Sequence, residues 1–300
     1  MKAPLSGSLV KQPSRLLIHL ELLGVVTIWA GTFVSTKMIL AQVPPAMSAL
    51  LRYMIASVML CAINLRNPER IQPADYGHLF GLGLTGVTFY YLFQHYGIRY
   101  TQATDAALLI SLSPVFIGVI SWLWLRERWK PAAAAGLFLA FGGTLLIIAD
   151  GQPFWKQPGD RVWGDLLILL TAVSWAFYSV AGKKLLSKYK PLTLITYTTM
   201  IGTACLLPFA LPDLPRVDWA GLTWVTWLNL LYLGGAASVY GYLAWYRGLL
   251  KLPAVTVGSY LYFRPLLTGI IAALVLGEQI SWFMVGGGAL IITGTYLTTK

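Results

Sequence analysis

Long apolar runs dominate this chain, separated by short breaks carrying Pro, Gly or charge. They cover residues 17–40, 46–65, 76–95, 104–125, 131–149, 164–186, 192–211, 222–246, 254–276 and 281–299. Crossing a bilayer as a helix takes about 20 predominantly apolar residues. Each run meets that length, so the pattern predicts an all-α integral membrane protein with ten transmembrane helices. Residues 1–16 form a polar tail, and the run behind them is too long for a signal h-region of about 7–15 residues. It is read as an uncleaved first helix.

Composition agrees. Hydrophobic residues make up 57% of the 300 positions and charged residues only 11%, with a mean hydropathy of +0.67. A soluble globule of this size needs a more polar skin. The formal charge of +11 would suit nucleic acid or a membrane surface. Its distribution decides. With the N-terminus in the cytoplasm, 15 of the 22 Lys and Arg fall in cytoplasmic segments and 4 outside. That bias is the positive-inside rule, and it places both termini in the cytoplasm without nucleic acid. Cys61 and Cys205 fall inside apolar runs and offer neither metal spacing nor a disulfide framework. No metal or cofactor is expected.

The two halves repeat one another. Trp29-Ala30 and Lys37 return as Trp175-Ala176 and Lys183, 146 residues on. Further along, Gly97, Ala103, Pro114, Leu125, Glu127, Gly136 and Gly143 return 151 residues on as Gly248, Ala254, Pro265, Leu276, Glu278, Gly287 and Gly294. Five helices per copy is an odd number, so the copies must cross the membrane in opposite senses. Inverted repeats are the mark of secondary transporters with a midplane site between them. The expected organisation is a tail at 1–16, repeat one at 17–150, a loop at 151–163 and repeat two at 164–300. The paired segments Pro114-Val115-Phe116 to Leu125-Arg126-Glu127 and Pro265-Leu266-Leu267 to Leu276-Gly277-Glu278 resemble the EamA family of the drug/metabolite transporter superfamily. The resemblance covers nearly the whole chain. It implies a basket-like fold whose central cavity is lined by helices one, three, four, six, eight and nine. Members export amino acids, other metabolites and drugs.

Candidate substrate contacts come from the residues themselves. Arg264 is the eleventh residue of its run, about 15 Å deep at 1.5 Å per residue, where an ionic group needs a partner or water. A guanidinium grips carboxylate or phosphate with two hydrogen bonds. Its counterpart in the first copy is Ser113. Tyr260 lies one turn away on the same face. Trp29, Trp175, Tyr90, Tyr178 and Tyr240 add rings with polar tips, and Gln94 adds an amide. Such a set suits an amphipathic, carboxylate-bearing small molecule, although rings at helical spacing also serve plain packing. Pro114 and Pro265 read as mid-helix kinks that free the carbonyls of Ile110 and Leu261. Lys37 and Arg52 read as snorkelling cations near helix ends. Glu127 is assigned to capping or to pairing with Arg126, Arg128 or Lys130. Glu21, Asp105 and Asp165 lie near span ends, so no mid-membrane acid supports a central proton relay.

The sequence therefore predicts an inner-membrane secondary transporter for small amphipathic metabolites such as amino acids, working by alternating access, not an enzyme. A carrier of phosphorylated or nucleotide-linked metabolites is the rival, for which one midplane arginine is little positive charge. A membrane-embedded enzyme would need DDxxD, HExxH or GxSxG in context, and none is present. Whether the protein is a monomer or a homodimer is left open.

Overall fold

The computed structural model describes residues 15–66, 68–100, 109–127, 129–149, 161–267, 270 and 281–299. Every regular element among them is helical. The helices are α1 (Arg15–Leu40), α2 (Pro45–Asn64), α3 (Tyr76–Gly83), α4 (Tyr90–Tyr100), α5 (Ser113–Leu125), α6 (Pro131–Ala149), α7 (Arg161–Leu185), α8 (Pro191–Ala210), α9 (Trp224–Leu231), α10 (Gly241–Lys251), α11 (Ala254–Ser259) and α12 (Trp282–Thr298). Their starts follow ordinary chemistry. Pro45 and Pro191 open α2 and α8, where a missing N–H costs nothing. Ser281 Oγ accepts from Met284 N and caps α12. Arg126, in a left-handed conformation at φ 54°, closes α5 and turns the chain so that Glu127 points across the bundle.

Two of the expected spans are interrupted in the same manner. Between α3 and α4 the chain winds as a π-helix over Leu84–Phe89, and between α9 and α10 as another over Tyr232–Tyr240. The two end 151 residues apart. The span expected over 254–276 tightens into a 3-10 turn at Tyr260–Tyr262 before residues 263–267 resume as α-helix. Among the described residues, Pro45–Asn64, Val162–Leu185 and Pro191–Arg216 are the helices both long and apolar enough to cross a membrane. The segments 104–125 and 254–276 extend beyond the described residues, as do Asp105, Glu278 and the loop 151–160.

Packing repeats with the sequence. A Cβ on Gly83 would stand 2.9 Å from the Thr198 carbonyl and 2.9 Å from Ile201, and one on Gly234 would stand 3.0 Å from the Arg52 carbonyl and 2.7 Å from Ile55. The glycines are 151 apart and their partners 146 apart. Gly97 likewise meets Ile168, and Gly248 meets Leu22. Gly136 lies against Gly294 O, and Gly143 against Gly287 O, so α6 and α12 run antiparallel with their backbones touching. Small residues let helices approach where apolar solvent supplies no hydrophobic drive. Large apolar side chains cover the outside, with Trp163, Trp224 and Trp282 exposed at helix starts. That surface matches lipid with aromatic anchors at its borders.

Candidate functional site

Where α1, α2, α4, α7 and α10 converge, the interior is built from rings. Trp175 on α7 lies 5.4 Å from Trp29, 5.5 Å from Tyr90, 5.5 Å from Tyr178, 5.4 Å from Tyr242 and 5.5 Å from Trp245. All six are buried. Edge and tilted pairs at these separations are the favourable arrangements for aromatic quadrupoles. The π-helical segments lock the cluster in place. A π turn leaves a carbonyl without its usual partner. Trp29 Nε1 donates to Ala237 O at 2.9 Å, and the Tyr242 hydroxyl donates to Gly86 O at 3.3 Å. Gly86 and Ala237 are repeat-related positions. Because Tyr242 gives its proton to Gly86, Tyr53 is the donor in the 2.8 Å bond between their hydroxyls. Trp175 Nε1 is sealed in with no hydrogen-bond partner.

Two arginines reach this centre, one of which the hydropathy pattern misplaces. Arg52 does not snorkel to an interface. It is 5% exposed, donates from Nε to Ser238 Oγ at 2.9 Å, and sits 4.8 Å above the Tyr91 ring and 5.5 Å from that of Tyr53. Its place as the eighth residue of α2, about 10 Å along the axis, and the small polar Ser238 facing it were the available signals. Arg264 comes in beside the Tyr90 hydroxyl, within hydrogen-bonding reach, and Arg52 acts on the same tyrosine through its field. Tyr90 stands 4.8 Å from Tyr91 and thus links the two cations.

The predicted contacts divide. Trp29, Trp175, Tyr178, Tyr90 and Arg264 come together, and Gln94 is buried one turn beyond Tyr90 on α4. Tyr260 is held apart from the Trp pair: its hydroxyl bonds His19 Nδ1 at 2.6 Å, near the start of α1 and ten residues before Trp29. Tyr240 is 41% exposed and takes no part in the ring cluster. His95 is a structural residue, bonded through Nδ1 to Pro45 O at 3.1 Å.

Pro114 corrects the mid-helix reading. It stands in the first turn of α5, after a break at Ser111–Leu112, and the Ile110 carbonyl it frees accepts the Ser113 hydroxyl at 2.7 Å. Pro265 follows the 3-10 turn, where Phe263 N–H turns back on the Tyr260 and Leu261 carbonyls. Neither freed carbonyl is left open.

At one end of the bundle a second polar assembly closes the gap between α5, α7 and the α10–α11 turn. Lys183 Nζ lies 2.6 Å from Glu127 Oε1 and donates to Leu252 O at 2.6 Å, while Glu127 Oε2 accepts from Ala254 N at 3.0 Å. Glu127 thus caps a helix, as expected, and pairs with Lys183, a cation from the other half of the chain; Arg128 lies outside the described residues. Before α3, Asp75 accepts from the Tyr189 hydroxyl at 2.7 Å and pairs with Lys188 at 3.0 Å. These bonds hold the Asp75 carboxyl below the usual carboxylate range. Glu21 pairs with Arg247 at 3.2 Å. The Lys37 side chain lies outside the described residues. No cluster of three or more His, Cys, Asp or Glu suited to a metal occurs among the described residues.

The EamA-like transporter family pattern matches this chain twice, over residues 16–149 and 162–300. The chain belongs to the EamA-like transporter family. An "Uncharacterized transporter" of Archaeoglobus fulgidus is 36% identical over 94% of this chain and 96% of its own. "Uncharacterized transporter YetK" of Bacillus subtilis is 28% identical over 97% and 89%. A "Probable terminal-alkyne amino-acid exporter" of Streptantibioticus cattleyicolor is 30% identical over 92% and 91%. A solved crystal structure superimposes with a TM-score of 0.81 over 94% of this chain and 98% of that one, at 22% identity, and shares its fold. As an EamA-like transporter the chain is a multi-pass membrane protein, and the exposed apolar faces of its helices have lipid as their solvent.

Proposed function

We propose that this protein is a secondary transporter of the inner membrane that exports small amphipathic metabolites, amino acids first among them, by alternating access. The observation that carries the reading is the ring cluster between the two halves, with the buried Arg52 and the half-buried Arg264 reaching it at Tyr91 and Tyr90. A charge at that depth is tolerated where it serves a cargo or a partner. Arg264 holds the anionic end of the substrate, and Trp29, Trp175, Tyr178 and Tyr90 flank its body. The amino-acid exporter among the relatives points to the same cargo class.

Alternating access needs two opposed halves. The double family match, the glycine contacts duplicated at the two offsets and the antiparallel α6–α12 seam support an inverted repeat of five helices per copy. The charge bias of the sequence supports cytoplasmic termini, which puts the Lys183–Glu127 assembly on the cytoplasmic side, closed in this conformation. Helix breaks beside Pro114 and Pro265 are then the flexing points.

The test is uptake of radiolabelled amino acids into proteoliposomes loaded with the same unlabelled compound. Exchange is expected with the wild type, and Arg264→Ala should abolish it for carboxylate cargo while the purified protein keeps its melting temperature. Normal exchange in that variant removes Arg264 from the site. The buried Arg52 also favours a more highly charged cargo than Arg264 alone would, so phosphate monoesters belong in the panel.

A further inference from the structure

Arg52 presents a buried charge with four of its five N–H donors unused. It makes no ion pair, and among the described residues only its Nε–H is bonded, to Ser238. The terminal nitrogens have no partner there, yet they are not among the sealed polar atoms, as Trp175 Nε1 is. They keep an accessible edge. Removing a cation from water without a counter-charge is among the largest penalties a side chain can incur, and chains remove it by pairing or by keeping water or a ligand beside the group. The Tyr91 face below and Ser238 on Nε fix the guanidinium plane, which leaves the outward edge with two parallel donors. That edge is the shape that takes a planar carboxylate in two hydrogen bonds. Two rings away through Tyr91 and Tyr90, the Trp175 indole N–H offers a further unsatisfied donor.

We propose that Arg52 is the carboxylate seat of the cargo site, with Tyr91 as its platform, Ser238 as its orienting group and the Trp175–Tyr90 rings receiving the apolar body of the ligand. This rests on the reading of the protein as a carrier of amphipathic metabolites, and it gives the anionic end of the cargo a second cation besides Arg264, the two linked through Tyr91 and Tyr90. The second half has Thr198 at the matching position, so the seat exists once.

The test uses the full-length protein in detergent and follows its melting temperature against phenylacetate, the uncharged isostere phenylacetamide and inorganic phosphate. Saturable stabilisation by phenylacetate alone is expected, because a ligand selective for the folded state raises apparent stability. Arg52→Gln should weaken that response at least about tenfold, the loss of a charge-assisted hydrogen bond. Arg52→Lys keeps the charge without the fork and should weaken it too, which settles the matter if the Gln variant does not fold. An unchanged affinity in Arg52→Lys and Arg52→Gln overturns the assignment, as does phosphate stabilising as well as phenylacetate, or no response to phenylacetate in the wild type. Binding without amino-acid exchange in proteoliposomes sinks the transport reading and leaves the seat standing. Arg264→Gln with wild-type binding removes only Arg264.

Discussion

The two halves of this protein agree in how they pack and differ in the charges they bury. Gly83 against the Thr198 carbonyl and Gly234 against the Arg52 carbonyl are one contact made twice. Gly86 O and Ala237 O, at matching places in the two π-helices, are both engaged by aromatic donors, though by an unrelated pair, Tyr242 and Trp29. Yet at the positions of the two arginines the other half carries Thr198 and Ser113, which hydrogen-bond to their own helices, at Ile195 O and Ile110 O. Backbone approach tolerates only small residues, so both halves keep them. A binding site between two halves needs only one cation on each wall, and the halves are free to diverge there.

The comparison breaks most decisively at the charges. Arg264→Ser, which gives the second half the side chain of the first, should lower carboxylate exchange by about 100-fold or more, since hydrogen bonds to a charged group are each worth about 1.5–3 kcal/mol. Loss of exchange together with loss of fold would instead make Arg264 a structural residue. Packing should respond in the opposite manner, equally in both halves. Gly143→Val and Gly294→Val force a Cβ against Gly287 O and Gly136 O, and each should destabilise by about 1–3 kcal/mol in equilibrium unfolding. A large difference between the two would show that the seam is not equivalent from its two sides.

The Lys183–Glu127 pair sharpens the contrast between centre and rim. Both side chains are about one-fifth exposed, at 18% and 20%, so Glu127→Gln should shift the opening equilibrium by about 1 kcal/mol, roughly five- to tenfold, without loss of cargo affinity. Single-molecule distance measurements across α5 and α7 would read it. The smallest effect concerns Asp75. Its carboxyl titrates below the usual value of about 3.9, so its contribution is present at neutral pH and is lost as pH falls through that lowered value. Asp75→Asn should lower the melting temperature slightly at pH 7, and the difference from wild type should shrink as pH falls below the usual carboxylate range.

Much of this was legible in the chain. Trp29 and Trp175 stood out by their correspondence in the two copies, and their rings lie 5.4 Å apart; the glycines that recur 151 residues on, Gly136, Gly143, Gly287 and Gly294, are those of the α6–α12 seam. The depth of Arg264 marked it as a group in need of a partner, but not that Tyr90 would stand beside it. What escaped did so for physical reasons. A uniformly apolar run has no polar stripe to report its period, so the π-helices at Leu84–Phe89 and Tyr232–Tyr240 leave no trace in hydropathy. Arg52 was read as snorkelling because distance from the end of a run does not say whether a side chain faces lipid or Ser238. Lys183 was not legible as a partner of Glu127 because the left-handed turn at Arg126, which carries Glu127 to it, belongs to backbone geometry.

The bonds that engage Gly86 O and Ala237 O also bear on energy coupling. Carriers driven by sodium hold the ion with main-chain oxygens released at irregular helix turns. Here the oxygens at the two π turns already accept from the Trp29 indole and the Tyr242 hydroxyl. Any alkali cation entering there must first displace an aromatic donor from its acceptor. Ion entry and cargo-site rearrangement would then be one event, performed by the same two rings.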